Sequence, residues 1–139
     1  MAEELYHFIG GKKVKGRSDR FGDVYWPMTG EVAARVPLAS KEEVRAAVEN
    51  AKAAQPGWAA TNPQRRARVL MKFIELVARD NDKLADKLAR EHGKTIADAK
   101  GDIQRGIEVI EFACGVPHLM KGEYTEGAGP GIDIYSMRQ

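Results

Sequence analysis

The longest regular pattern of apolar residues in the chain lies between Thr95 and Leu119. Apolar side chains recur there at steps of three and four residues, which places them on one face of a helix. We therefore predict a single long helix whose apolar stripe forms the core. Pro117 is expected to mark its end, because proline cannot continue the hydrogen-bond ladder. The stripe consists of Ile96, Ala99, Ile103, Ile107, Ile110 and Cys114.

Three further helices are predicted from their start and stop signals. The first begins with a capping box over Ser40–Glu43, and Pro56-Gly57 is expected to stop it. The second begins at Asn62-Pro63, with asparagine as the cap and proline at the first helical position. Asn81-Asp82 caps the third, which Gly93 ends in a left-handed conformation.

Two antiparallel strand pairs are predicted in the first forty residues. Residues 5–14 are short extended runs around Gly10-Gly11, a dipeptide that tolerates positive φ and so favours a hairpin. Residues 21–36 alternate in polarity on either side of a Thr29-Gly30 turn.

The end of the chain is predicted as a loop followed by one unpaired strand. Residues 122–131 are rich in glycine, and the alternating segment from Ile132 to Gln139 predicts the strand. Since natural domains avoid an open strand edge, we expect the chain to be truncated. The predicted fold class is α+β, predominantly helical.

Composition indicates one ordinary globular domain. The 139 residues are 43% hydrophobic and 30% charged, and the net charge of +2 lacks the basic excess of nucleic-acid-binding proteins. Arg65, Arg66 and Arg68 nevertheless crowd the start of a predicted helix. A solvated basic face is favoured there over a phosphate or nucleic-acid site, because no aromatic residues interleave with the arginines.

Few residues are candidates for metal or redox chemistry. Cys114 is the single cysteine and lies on the apolar stripe, so we interpret it as structural. The three histidines lie far apart without partners at ligand spacing, and no metal site is expected. No apolar run reaches the ~20 residues of a membrane span, and the first residues lack a targeting pattern, so a cytoplasmic location is predicted.

Arg105 is the one polar residue singled out by its surroundings. Asp102 and Glu108 lie three residues to either side, which alone predicts ordinary surface ion pairs. Gly101 and Gly106, both unfavourable in a helix, suggest close backbone approach at this helix. The alternative for Arg105 is that these glycines clear space around it, so that its guanidinium binds a substrate carboxylate in bidentate fashion. From spacing alone the surface ion pairs are favoured.

Several ordered motifs resemble one enzyme family. They are FIGGKKVKG, PMTGEVAARVPLASKEEV, NPQRRARVLMKF, REHGKTIADAKGDIQRGIEVIEFACGVPHLMKGEYTE and GPGIDIYSMRQ, and together they cover nearly the whole chain. The chain is similar to the amino-terminal portion of the methylmalonate-semialdehyde dehydrogenases, the coenzyme A acylating branch of the aldehyde dehydrogenase superfamily. Trp26 departs from the asparagine usual in that family at this turn.

The resemblance implies an enzyme that oxidises methylmalonate or malonate semialdehyde with NAD and coenzyme A to propionyl-CoA or acetyl-CoA, releasing carbon dioxide. It implies that Arg105 contacts the substrate carboxylate, which reverses the preference from spacing. It assigns no catalytic, cofactor-binding or metal-binding residue to this chain, because Cys114 does not match the nucleophile and the oxyanion-binding asparagine motif begins beyond Gln139.

The resemblance also implies a division of the chain and a larger assembly. Residues 1–125 would pack on a nucleotide-binding domain, residues 126–139 would begin a bridging or oligomerisation strand, and the complete protein would be a homotetramer. The 139 residues alone are expected to be inactive. A free-standing helical interaction module that recruits a partner by strand-edge pairing is the alternative.

Overall fold

The computed structural model describes residues 3–138, which contain seven strands and five helices. Their contacts divide these residues into two compact units, one of residues 3–60 with 85–99 and one of residues 61–84 with 100–138. The mixed, predominantly helical fold predicted from the sequence is confirmed. The strands are β1 (Glu3–Glu4), β2 (His7–Ile9), β3 (Lys12–Val14), β4 (Phe21–Tyr25), β5 (Val32–Pro37), β6 (Tyr124–Gly129) and β7 (Ile132–Tyr135). The helices are α1 (Lys41–Ala59), α2 (Pro63–Arg79), α3 (Asn81–His92), α4 (Ile96–Cys114) and α5 (Val116–Leu119).

Both predicted antiparallel pairs are present in the first unit. Strands β2 and β3 join through Gly10 and Gly11, whose φ angles of 61° and 76° suit a tight hairpin. Strands β4 and β5 pair with Val24 opposite Ala34, and Gly30 (φ 73°) donates to the Trp26 carbonyl at 2.8 Å in the turn. The two-residue β1 adds a parallel partner to β5 that the sequence pattern did not predict.

Three of the predicted helix signals operate as expected. The Glu43 amide donates to Ser40 Oγ at 3.2 Å while the Ser40 amide donates to Glu43 Oε2 at 2.9 Å, which completes the capping box. Asn62 Oδ1 accepts from the Gln64 amide at 2.9 Å at the start of α2. Gly93, with φ 73°, ends α3 by donating to the Ala89 carbonyl at 2.9 Å.

The predicted stop at Pro56-Gly57 is wrong, because α1 continues to Ala59. Pro56 loses its own bond to the Lys52 carbonyl and crowds that carbonyl, but the turn after it still forms, since the Pro56 carbonyl accepts from the Ala60 amide at 3.0 Å. Gly57 is not among the glycines with positive φ, so it does not supply a left-handed terminator.

The single helix predicted over residues 95–119 is divided into α4 and α5 at Gly115. Pro117 cannot donate to the carbonyl four residues earlier, that of Ala113, and its ring would crowd it; unlike α1 at Pro56, α4 ends before its proline is reached. The Gly115 amide instead closes a tighter turn on the Phe112 carbonyl at 3.0 Å. Pro117 then lies in the first turn of α5, where its missing donor does no harm.

The predicted C-terminal loop and unpaired strand are also wrong, because β6 and β7 form an antiparallel hairpin. The pairing is irregular between Thr125 and Gly129, where Gly127 (φ 66°) supports the departure from regular register. Strand β7 ends at Tyr135, and Gln139, the last residue of the predicted strand, lies outside the described residues.

The buried residues are small. Within the described part of the chain the buried hydrophobic set is Ala34, Ala67, Ala85, Ala89, Ala99 and Ile107. Of the predicted α4 stripe, Ala99 and Ile107 are buried, whereas Ile96 is 45% exposed. The stripe is therefore only partly the core that the sequence pattern predicted.

Candidate functional site

The candidate site is built around Arg105 on α4. Its side chain is 78% exposed, and Nη1 lies 3.0 Å from Asp102 Oδ1. The two residues are one helical turn apart, so the helix itself sets this contact. The guanidinium is thus held along the helix surface toward the N-terminal side.

The two acids beside Arg105 are placed differently. Asp102 is partly buried and binds the guanidinium, whereas Glu108 is exposed and accepts from Gln104 Nε2 at 3.3 Å. Of the two surface ion pairs predicted for Arg105, the one with Asp102 is present. Acid preceding base along a helix is the favourable order of charge relative to the helix dipole.

The helix surface beside Arg105 is open. A Cβ atom built on Gly101 or Gly106 would meet no atom of the described residues within 4 Å. The close backbone approach predicted at these glycines is therefore wrong within residues 3–138. Because the two glycines have no side chains, the helix surface next to the guanidinium is free of side-chain atoms at these positions. This is the space that a ligand would need under the substrate-binding alternative.

Two apolar side chains share the face of α4 that carries Arg105. Val109 and Phe112 follow it by four and seven residues and are 68% and 74% exposed. That spacing places all three on one side of the helix. Neither apolar residue was predicted as part of the site, although the spacing of four and seven residues from Arg105 was available in the sequence as a signal. Together, Arg105, Val109 and Phe112 form a patch in which one cation lies beside an apolar surface. Such a patch is suited to a small ligand with one acidic group.

Cys114 lies outside this patch. It is half-buried, and its Sγ is 3.8 Å from the Ala67 carbonyl. Among the described residues, no group of three or more His, Cys, Asp or Glu side chains is arranged to hold a metal ion.

The three arginines at the start of α2 differ in environment. Arg65 and Arg68 are exposed, whereas Arg66 is partly buried, with Nη2 4.0 Å from Met120 Sδ. Arg66 Nε is buried and finds no hydrogen-bond partner among residues 3–138. Two of the three arginines are therefore exposed, as a solvated basic face requires, whereas Arg66 is partly withdrawn from solvent.

The β6–β7 hairpin carries a second polar cluster. Asp133 accepts from the Gly127 amide at 2.8 Å and from the Tyr124 hydroxyl at 2.9 Å. The backbone bond from Gly127 first, and the Tyr124 hydroxyl second, lower the pKa of Asp133, while the bond to Asp133 raises the pKa of Tyr124. Both contacts lie within the hairpin, and the one from Gly127 falls in the segment of irregular register between Thr125 and Gly129.

The glycine-rich segment 127–131 lies in this same hairpin. It leads from β6 into β7 and does not open a helix, so it offers no helix N-terminus to a phosphate. No helix of residues 3–138 is long and apolar enough to cross a membrane.

Comparison with known proteins gives relatives over the whole chain. A methylmalonate-semialdehyde dehydrogenase [acylating], mitochondrial, of Arabidopsis thaliana is 45% identical over all 139 residues, which are 23% of that protein. A malonate-semialdehyde dehydrogenase of Pseudomonas aeruginosa is 42% identical over 95% of this chain and 26% of its own length. The chain thus spans about a quarter of the length of the curated relatives that it matches.

A solved structure agrees with these relatives. It is described as a methylmalonate-semialdehyde dehydrogenase from Sinorhizobium meliloti 1021 complexed with NAD, and it matches all of this chain and 28% of its own, with 63% identity and a TM-score of 0.92. The sequence profile of the aldehyde dehydrogenase family matches residues 13–139. These matches confirm the family that the sequence motifs predicted: the chain belongs to the aldehyde dehydrogenase family.

Proposed function

We propose that this chain is the amino-terminal part of a longer NAD-dependent, coenzyme A acylating semialdehyde dehydrogenase, and that Arg105 binds the carboxylate of its substrate. The substrate would be methylmalonate or malonate semialdehyde, and the products propionyl-CoA or acetyl-CoA, carbon dioxide and NADH. The names of the Arabidopsis and Pseudomonas relatives support this substrate class. The observation that carries the proposal is the exposed guanidinium of Arg105 beside an open, partly apolar helix face.

The role of Arg105 follows from its chemistry. A guanidinium is planar, permanently charged and able to donate two parallel hydrogen bonds to a carboxylate. Val109 and Phe112, on the same face, would contact the short carbon skeleton of the semialdehyde. Arg105 would thereby orient the aldehyde carbon without taking part in bond making.

Cofactor chemistry is assigned to the remainder of the protein. NAD, when bound, would accept the hydride, and coenzyme A would take up the acyl group. The neighbour complexed with NAD supports this cofactor for the family. No residue among 3–138 is proposed to hold either cofactor. The glycine-rich candidate, residues 127–131, lies in a hairpin and lacks the helix N-terminus that binds a pyrophosphate.

Localisation and assembly remain part of the proposal. A cytoplasmic homotetramer is proposed for the complete protein, with residues 126–139 contributing to an oligomerisation sheet. The exposed apolar side chains of the hairpin, among them Ile132, Ile134 and Tyr135, support a surface that is covered in the assembly.

The first test is the Arg105→Ala substitution in the protein expressed from the complete reading frame. Loss of a hydrogen-bonded charge pair of about 2–3 kcal/mol predicts a ~30- to ~150-fold lower kcat/KM toward malonate semialdehyde. Activity toward propanal, which has no carboxylate, should change little. An equal loss on both aldehydes would reject the assigned role.

The interaction-module alternative makes a different prediction. If the 139 residues are a free-standing module, the reading frame should stop after Gln139. The enzyme proposal instead predicts that the frame continues beyond Gln139, because the chain spans about a quarter of the length of its relatives. Sequencing the locus separates the two.

A further inference from the structure

We propose that Asp102 is a positioning residue that presents Arg105 to the substrate carboxylate. This inference rests on the proposed function of Arg105. Its structural basis is the 3.0 Å contact between Asp102 Oδ1 and Arg105 Nη1.

The contact engages one end of the guanidinium. With Nη1 directed toward Asp102, the edge formed by Nε and Nη2 is the one that a bidentate carboxylate would meet. An arginine that is 78% exposed otherwise has many rotamers available on a helix surface. Asp102 reduces this freedom before the substrate arrives, which is the general advantage of a preorganised binding group.

The difference between the two neighbouring acids favours a specific role for Asp102. Asp102 is less exposed than Arg105, with 35% of its side chain accessible against 78%. Glu108, equally distant along the helix, contacts Gln104. The chain therefore contains a matched acid on the same helix that does not hold the guanidinium in this structure.

Asp102 could act by positioning Arg105 or only by offsetting its positive charge. These two roles predict opposite changes in KM when Asp102 is removed. If Asp102 positions Arg105, Asp102→Ala should raise the KM for malonate semialdehyde by about fivefold, the upper range for an exposed ion pair. If Asp102 only offsets the positive charge, its removal should lower that KM. Asp102→Asn retains an acceptor oxygen without the charge, so under the positioning model it should restore most of the loss.

The experiment is a double-mutant cycle in the full-length protein, with kcat and KM measured on malonate semialdehyde and on propanal. Asp102→Ala should raise KM for malonate semialdehyde alone and should add no further effect in the Arg105→Ala background. Glu108→Ala is the control and should leave both substrates unchanged. Should Asp102→Ala yield no soluble protein, Asp102→Ser takes its place, since serine is too short to make the same contact.

The outcomes separate this inference from the function on which it rests. If Arg105→Ala affects both aldehydes equally, the proposed function fails. If Arg105→Ala is selective but Asp102→Ala has no effect, lowers KM, or gives the same penalty in both backgrounds, the positioning role of Asp102 is overturned.

Discussion

Single residues in this chain act through two separate properties, backbone conformation and the space around the side chain. Gly93 combines both, because its φ is 73° and a Cβ placed there would lie 3.1 Å from Pro27 Cγ and 3.3 Å from Met28 Sδ. Gly57, inside α1, has neither constraint, since an added Cβ would meet no atom of the described residues within 4 Å. The same residue type therefore has opposite significance at the two positions.

Substitution of these glycines should change stability in opposite directions. Gly93→Ala should lower the free energy of unfolding by about 1–2 kcal/mol, because L-residues are disfavoured in the left-handed region. Gly57→Ala should raise it by up to ~1 kcal/mol, the helix propensity difference between the two residues. Urea titrations of the purified variants measure both effects. A Gly93→Ala protein as stable as the parent would show that this helix end relaxes to another conformation.

At the scale of elements, the signals that the sequence predicted correctly are those completed within a few residues. The capping box of α1, the Asn62 cap of α2 and the Gly93 terminator of α3 each depend on side chains and amides fewer than six positions apart. The continuation of α1 through Pro56 and the pairing of β6 with β7 could not be predicted from such short segments. Whether α1 continues past Pro56 depends on whether the next turn forms its hydrogen bonds. Whether the glycine-rich segment becomes strand β6 depends on its pairing with β7.

The same reasoning explains how much of the candidate site could be foreseen. Arg105 and Asp102 were identified because their contact is local to one helical turn. The burial of a helical residue depends on what packs against the helix. The spacing of apolar residues along the helix does not contain this information. Ile96 therefore lies 45% exposed although the apolar pattern placed it in the core.

The β6–β7 hairpin should depend on pH through Asp133. Its pKa in the folded chain lies below the usual range because the Gly127 amide and Tyr124 hydroxyl stabilise the carboxylate. The stabilising contribution is therefore complete above about pH 4, the ordinary aspartate pKa, and is lost as the pH falls through the lower pKa of the folded chain. The amide chemical shift of Gly127, followed by NMR, should titrate in that acidic window. Asp133→Asn should abolish this titration, and a shift that persists in the variant would assign it to another group.

The whole molecule has many large apolar side chains at its surface and small residues in its interior. Within residues 3–138 the buried hydrophobic set is five alanines and one isoleucine, whereas Phe112, Met137 and Tyr135 are each at least 70% exposed. Large apolar side chains that are neighbours at the surface, as Val109 and Phe112 are on α4, mark a surface that packs against another protein. The face of α4 formed by Val109 and Phe112 thus has two proposed uses in the complete enzyme, packing and substrate contact.

The 139-residue chain expressed alone should therefore self-associate, and Phe112→Ser should weaken that association about tenfold, because one large apolar side chain is no longer removed from water. Sedimentation equilibrium over a range of protein concentrations measures the effect. Phe8→Ser is the matched control, since Phe8 is equally exposed at 74% but lies in the β2–β3 hairpin, opposite Lys13, and not on α4. If the chain is monomeric at high concentration, or if Phe8→Ser weakens association as much as Phe112→Ser does, the α4 face is not the surface that associates.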